Sequence, residues 1–166
     1  MPDARIVPPG AGEQLSARGS ALLFKAVAAT TGGAFSLHER RVPAGGRRPP
    51  AHRHPDRVEA FWVLDGTAEF DLDGTTSAAG AGSFVLVPGG VAHTFGAAAD
   101  DDAHLLVLHA PALDDYFRDL DRLWSARSRH RARTNSTSCD DTAWSGPEAP
   151  AGTSATAERH PAHACV

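Results

Sequence analysis

The chain has 166 residues and a formal net charge of −4, with 42% hydrophobic residues, 16 glycines and 12 prolines. That length holds one domain plus appendages, the composition suits a turn-rich β protein or a folded core with a polar tail, and the negative balance gives no reason to expect nucleic acid or an acidic membrane as partner. The opening MPDARIVPPGAGEQ has no basic segment followed by an apolar one, and no apolar run is long enough for a bilayer, so a soluble cytoplasmic protein is expected.

Residues 1–20 carry Pro2, Pro8, Pro9, Gly10 and Gly12 and read as an irregular N-terminal arm. Ala21–Ala29 and Ala34–Val42 read as two strands joined through the turn residues Thr30 to Gly33. Pro43 to Pro50 then breaks regular structure. Strand material resumes up to Phe61–Leu64 and meets the tight-turn dipeptide Asp65-Gly66; Thr67–Leu72 alternates and ends at a second such dipeptide, Asp73-Gly74. Ser83–Val87, Ala92–Ala97 and Ala103–Ala110 complete the set, with an acidic turn at Asp100–Asp102. Short strands at this spacing predict an all-β sandwich or barrel over residues 21–111.

The pattern changes after Pro111. Leu113, Tyr116, Phe117, Leu120, Leu123 and Trp124 recur at helical steps among acids and arginines. This predicts an amphipathic helix over residues 112–126, packed on the barrel. Residues 127–166 show neither period, contain Arg127, Arg129, Arg131 and Arg133 and then turn polar, and are expected to be disordered. Both cysteines, Cys139 and Cys165, lie there, and no structural disulfide is expected of them.

The chemistry-bearing residues cluster. On a strand His52 and His54 share a face, so their rings can converge on one cation. Glu59 would point the other way on a continuous strand, but Pro55-Asp56 interrupts it and lets the carboxylate return over the imidazoles. Phe61 and Val63 would then face inward with it. His93, after a Pro-x-Gly turn, can supply a third imidazole from across the barrel, with Phe95 facing the same interior. Phe61, Val63 and Phe95 are therefore the candidate pocket walls. His38, His104 and His109 sit in strand candidates and read as structural or exposed; His130, His160 and His163 fall in the tail. There is no phosphate-binding glycine loop and no nucleophile elbow.

Gly46, His52, His54, Glu59 and Gly66 match the first cupin motif at every position, and Gly82, Pro88, Gly90 and His93 match the second. The Asn that usually ends the second motif is Ala97 here; in the family it is not a metal ligand, so the departure bears on a turn contact. The chain thus resembles a small single-domain cupin of the quercetin-dioxygenase-like kind. The resemblance implies an all-β double-stranded β-helix, or jelly-roll barrel, with one C-terminal helix. It implies one divalent transition metal (Fe, Mn, Ni, Cu or Zn) held by His52, His54, Glu59 and His93, a donor set unsuited to Ca or Mg. It implies a small-molecule substrate, Glu59 as ligand and general base, and a homodimer joined by edge strands or the arm. A dioxygenase-like oxidoreductase is the favoured activity. A metal-dependent isomerase or polyketide-type cyclase, and a non-catalytic binding module, stand as alternatives, and a storage role is the weakest.

Overall fold

The structure, a computed structural model, describes residues 4–17 and 20–136, with side chains as far as residue 126. Eight strands and two helices follow in chain order: β1 Glu13–Ala17, β2 Ser20–Ala26, α1 Ala28–Thr31, β3 Ser36–Val42, β4 Val58–Leu72, β5 Thr75–Gly80, β6 Phe84–Val87, β7 His93–Ala97, β8 Ala103–Ala110 and α2 Asp114–Ser136. All strand pairs are antiparallel. The architecture is a mostly β, antiparallel jelly roll with a C-terminal helix.

One strand joins the two walls of this barrel. The first half of β4 lies between β8 and β6, in the wall that continues through β3 and β2 to β1. Its second half lies between β5 and β7 in the other wall. The changeover is at Gly66, next to a register shift between Val63 and Asp65. Asp65-Gly66 is therefore no hairpin turn, contrary to the expectation from sequence. The chain stays extended because both halves keep partners on both edges, and the dipeptide serves as a bend. Gly66 takes φ 71°, and a Cβ there would collide with the Asp102 carbonyl. The real hairpin is the next one, where Asp73 (φ 48°) and Gly74 (φ 82°) link β4 to β5 through the Leu72↔Thr75 pair.

Three other boundaries differ from the sequence reading. The arm is not wholly irregular: β1 pairs with β2 from Glu13↔Phe24 to Ala17↔Ser20. The strand expected to run to Ala29 stops at Ala26, and residues 28–31 form a helical turn ended by Gly32 at φ 63°. The last helix continues to Ser136, ten residues past the expected end at 126. Its second half lacks an apolar stripe, but Arg and Ala are strong helix formers, so propensity extends what packing began. The remaining tail expectations, with Cys139, Cys165, His160 and His163, lie outside the described residues; His130 falls in the extended helix, beyond the described side chains.

Strand alternation sets the interior. Phe61, Val63, Phe70, Val87, Phe95, Leu105 and Val107 form the main core, and Phe61 packs at 4.7 Å from Phe95 and 5.0 Å from Phe70, centroid to centroid. A second cluster, Ala17, Leu22, Phe24 and Phe117 with Leu113 and Leu120 against it, seats α2 on the β1–β2 side. Two bonds hold the start of α2: Asp114, buried, accepts the Ala28 N–H at 2.9 Å, and Ser36 Oγ accepts the Leu113 N–H at 3.0 Å. On the outer face of β4 and β6, Trp62, Leu64, Phe84 and Leu86 are all exposed.

Gly66→Ala is expected to destabilise the fold by about 1–3 kcal/mol, since it adds both steric overlap and a left-handed non-glycine backbone. Gly80→Ala, where a Cβ meets nothing within 4 Å, serves as control. Denaturant unfolding of the two variants checks this, and equal midpoints would refute the bend's role.

Candidate metal centre

His52 and His54 precede β4 in an otherwise irregular segment, so something other than a strand must place them. Backbone pairing with the first residue of β7 does this. The His52 N–H donates to the His93 carbonyl at 3.0 Å, and the His93 N–H donates to the His52 carbonyl at 2.8 Å. The Gly90 N–H donates to the His54 carbonyl at 2.9 Å. The two stretches that carry the histidines are thus bonded to each other. The chain turns at Pro55-Asp56, then β4 starts and Glu59 points inward. His93 comes from directly beside His52, with ring centroids 4.3 Å apart, rather than from across the barrel.

One ligand atom from each of His52, His54, Glu59 and His93 lies within 4.8 Å of the others. The outer ring nitrogens of two of these histidines are already engaged. His52 Nδ1 is 3.0 Å from the Pro50 carbonyl, and His93 Nδ1 is 3.1 Å from that of Val91. With Nδ1–H donated to a carbonyl, Nε2 is the ring nitrogen turned to the centre, the one that would give its lone pair to a metal once its own proton is displaced. Three imidazole nitrogens and one carboxylate oxygen suit a first-row transition metal or zinc. The residues therefore fit the expected ion.

Glu59 is the only carboxylate in the cluster and is 3% exposed. Its Oε2 sits 2.7 Å from His93 Nε2 and 3.3 Å from His54 Nε2, and its Oε1 sits 3.1 Å from His109 Nε2. Burial alone would push this carboxyl up; hydrogen bonds from His109, His54 and His93 overcome that and hold it well below its ordinary range. Burial likewise pushes the His93 imidazole down, but the Glu59 carboxylate and the Val91 carbonyl outweigh it and the net direction is up. His52, half-buried, is pushed down mainly by burial.

The cluster opens into a cavity of about 40 Å³. Arg40, His52, His54, Glu59 and His109 line one side, and Leu113, just before α2, with Tyr116, Phe117 and Leu120 of α2 line the other. The candidate walls Phe61, Val63 and Phe95 are not among the lining residues. They are buried in the core beneath the site, because the α2 stripe, not the β4 face, covers the opening. Their bulk supports the ligand-bearing strands from below.

Two residues that line the cavity escaped the sequence reading. His109, read as structural or exposed, is buried and holds the far oxygen of Glu59. Arg40 is buried inside the barrel. The signal was present in the alternation of β3 and β8, which buries Ser36, His38, Arg40 and Val42 on one strand and Ala103, Leu105, Val107 and His109 on the other. His38 stacks on His109 at 5.8 Å, and burial holds its pKa well below the usual imidazole value. His104 is at the surface side of β8, 3.1 Å from Glu39.

Residues 38–109 match the family model of the Cupin domain. No functionally curated protein matches the chain. Among solved structures it is similar to KdgF from Halomonas sp., with 16% identity, a TM-score of 0.59 and coverage of 69% of this chain and 99% of that one. It is also similar to ectoine synthase from P. lautus, with 19% identity, a TM-score of 0.52 and coverage of 60% and 70%. A third is a predicted oxalate decarboxylase from Thermotoga maritima, with 20% identity, a TM-score of 0.52 and coverage of 60% and 90%. At such identities these likenesses establish the fold alone.

His54→Ala is expected to abolish stoichiometric metal uptake and the rise in melting temperature that metal gives the parent protein. His109→Phe keeps ring volume but leaves Glu59 Oε1 without its donor, and is expected to weaken metal affinity roughly 10–100-fold. Elemental analysis and chelator competition check both; unchanged affinity in the two variants would exclude this cluster as the metal site.

Proposed function

We propose, from the premise that residues 38–109 form a cupin domain, that the protein is a metal-dependent enzyme acting on a small organic substrate. His52, His54, Glu59 and His93 hold one divalent transition metal. The observation that carries this reading is the convergence of three imidazoles and one carboxylate, with ligand atoms within 4.8 Å of one another, three of the four residues lining a cavity. When bound, the metal supplies a Lewis acid for a substrate oxygen and, if redox-active, a partner for dioxygen.

The residues around it have separable tasks. Glu59 presents Oε2 to the centre, where it would hold the metal, while His109 fixes Oε1, so the carboxylate keeps its orientation. In that position Oε2 can accept a proton from the substrate. Leu113, Phe117 and Leu120 exclude bulk water from the same space. A dioxygenase-type oxidoreductase of the quercetin-dioxygenase kind is the first activity we put forward. A metal-dependent isomerase or cyclase is the second, favoured by one observation: the lining contains a further proton-handling group, His109, beyond the four ligands.

The homodimer implied by the sequence resemblance is also proposed, with the exposed Trp62, Leu64, Phe84 and Leu86 face as the surface a second copy would cover. Among the described residues no helix is long and apolar enough to cross a membrane, and a cytoplasmic location remains our proposal.

The test is metal analysis followed by oxygen uptake. Purified protein is expected to contain about one transition metal per chain. Fe, Mn, Ni or Cu with substrate-dependent oxygen consumption on enol or catechol compounds supports the dioxygenase reading. Zinc with proton exchange or ring closure but no oxygen uptake supports the second. Protein that neither contains nor can be loaded with metal overturns both.

A further inference from the structure

We propose that Tyr116, at the mouth of this cavity, recognises the outer end of the ligand, and that the ligand is a short-chain oxygen compound with a second hydroxyl or carbonyl group a few atoms from its metal-binding end. The inference rests on the metal-site reading above and adds a specificity residue and a ligand class to it.

The placement follows from the stripe that covers the cavity. Leu113, Tyr116, Phe117 and Leu120 recur at helical spacing and line the cavity together. Three of these side chains are hydrocarbon, so Tyr116 alone gives the cover a polar atom. It is also the one exposed residue of the lining, at 47%, and therefore stands where the cavity meets solvent. Glu59, His109 and Phe117 lie buried inside. The turn that carries Tyr116 is fixed on both sides. Asp114 accepts the Ala28 N–H at 2.9 Å, and Arg118 donates to Asp114, to Asp115 and, on β1, to Glu13. Phe117 meets the phenol ring edge-on, with centroids 5.4 Å apart.

The other polar groups of the lining have partners. His52, His54 and Glu59 belong to the candidate metal cluster, and His109 Nε2 faces Glu59 Oε1. Arg40 donates to Ser20 and lies over the Phe95 ring. Tyr116 carries the only hydroxyl of the lining, and that hydroxyl has no hydrogen-bond partner among the described residues. A phenol O–H both donates and accepts, so it can meet a ligand hydroxyl or carbonyl alike. The space inside is about 40 Å³, which is room for a few atoms on the scale of ~10–15 Å³ per water-sized probe. A ligand with one oxygen at the cluster fills that space with its first few atoms, and the rest of its chain leaves by the mouth, past Tyr116. Leucine and phenylalanine then pack on carbon, and the tip of the tyrosine bonds the next oxygen.

Calorimetric titration of the zinc-loaded protein with propanohydroxamate and with its terminally hydroxylated analogue tests this. The two share a metal-binding head and differ in one hydroxyl at the far end. The parent protein is expected to bind the hydroxylated compound roughly 3- to 10-fold more tightly. Tyr116→Phe keeps the ring and removes the hydroxyl, and is expected to erase that preference, the loss falling on the hydroxylated compound. Zinc content and melting temperature are measured for both proteins before titration, so loss of the fold or of the metal site is seen separately. Three outcomes overturn the assignment of Tyr116 and leave the metal site standing: a parent protein that does not distinguish the two compounds, a Tyr116→Phe protein that keeps the preference, or one that loses affinity for both equally. A parent protein that takes up no metal overturns the metal-site reading and this inference with it.

Discussion

A single buried carboxylate governs the arrangement of this barrel. Glu59 lies inside the barrel with imidazole nitrogens of His54, His93 and His109 at 2.7–3.3 Å. A carboxylate taken out of water costs several kcal/mol unless its lone pairs are satisfied, so these partners are needed for the fold as well as for any chemistry. They come from three different places: the segment before β4, the first residue of β7 and the last turn of alternation in β8. The registers of β4 against β6 and β8, and the two-way backbone bridge between His52 and His93, must all hold for that carboxylate to be paired. A metal held by the same atoms would replace imidazole N–H groups as the source of positive charge, so the cluster that pairs this carboxylate is also the candidate metal site.

The second constraint is covalent. β4 belongs to both walls, so Glu59, Phe61 and Val63 in one wall and Phe70 in the other are parts of one 15-residue strand. Site and core are therefore not independent. Phe61 follows Glu59 by two residues, on the same face, and packs on Phe95 and Phe70. Phe95 in turn follows His93 by two. Each metal-facing residue on these strands has an aromatic ring next below it, and the ring pair fixes the spacing of the two strands directly under the ligands.

Much of this was legible in the sequence, and the parts that were not share a cause. Local signals are readable one residue at a time: the histidine pair, the break at Pro55-Asp56, the Asp73-Gly74 hairpin and the spacing of Glu59 and His93 all declare themselves within a few residues. Asp65-Gly66 was misread because a tight-turn dipeptide and a bend between sheets have the same composition; what separates them is whether the strand has partners on both edges, a long-range fact. The partnership of His109 with Glu59 is hidden for a related reason. His109 is fifty residues from Glu59 in sequence, and only the pairing Glu59↔His109 between β4 and β8 brings them side by side. Arg40 went unremarked since a charged residue in a short strand is ordinarily on the solvent face. Phe61, Val63 and Phe95 face inward as expected but do not line this cavity, because its cover comes from a helix whose docking site cannot be read from its own stripe.

That helix decides what the site can admit. The barrel strands supply the floor, and their geometry is fixed by the registers described above. The roof is Leu113, Phe117 and Leu120, and its height is fixed elsewhere: by Asp114 accepting the Ala28 N–H and pairing with Arg118, by Ser36 Oγ accepting the Leu113 N–H, and by Asp121 accepting the Ser16 N–H at 2.9 Å. None of these anchors touches the cavity except through the backbone. Phe117 also packs on Phe24, His38 and His109 at centroid distances of 5.7, 5.2 and 5.5 Å, so the helix rests on the very histidine that holds Glu59. The size of the cavity is therefore a property of how α2 is tied to α1, β1 and β3. The candidate metal ligands belong to the segment before β4, to β4 itself and to β7. Two sets of residues, nearly without overlap, form the cover of the cavity and the candidate ligand cluster beneath it.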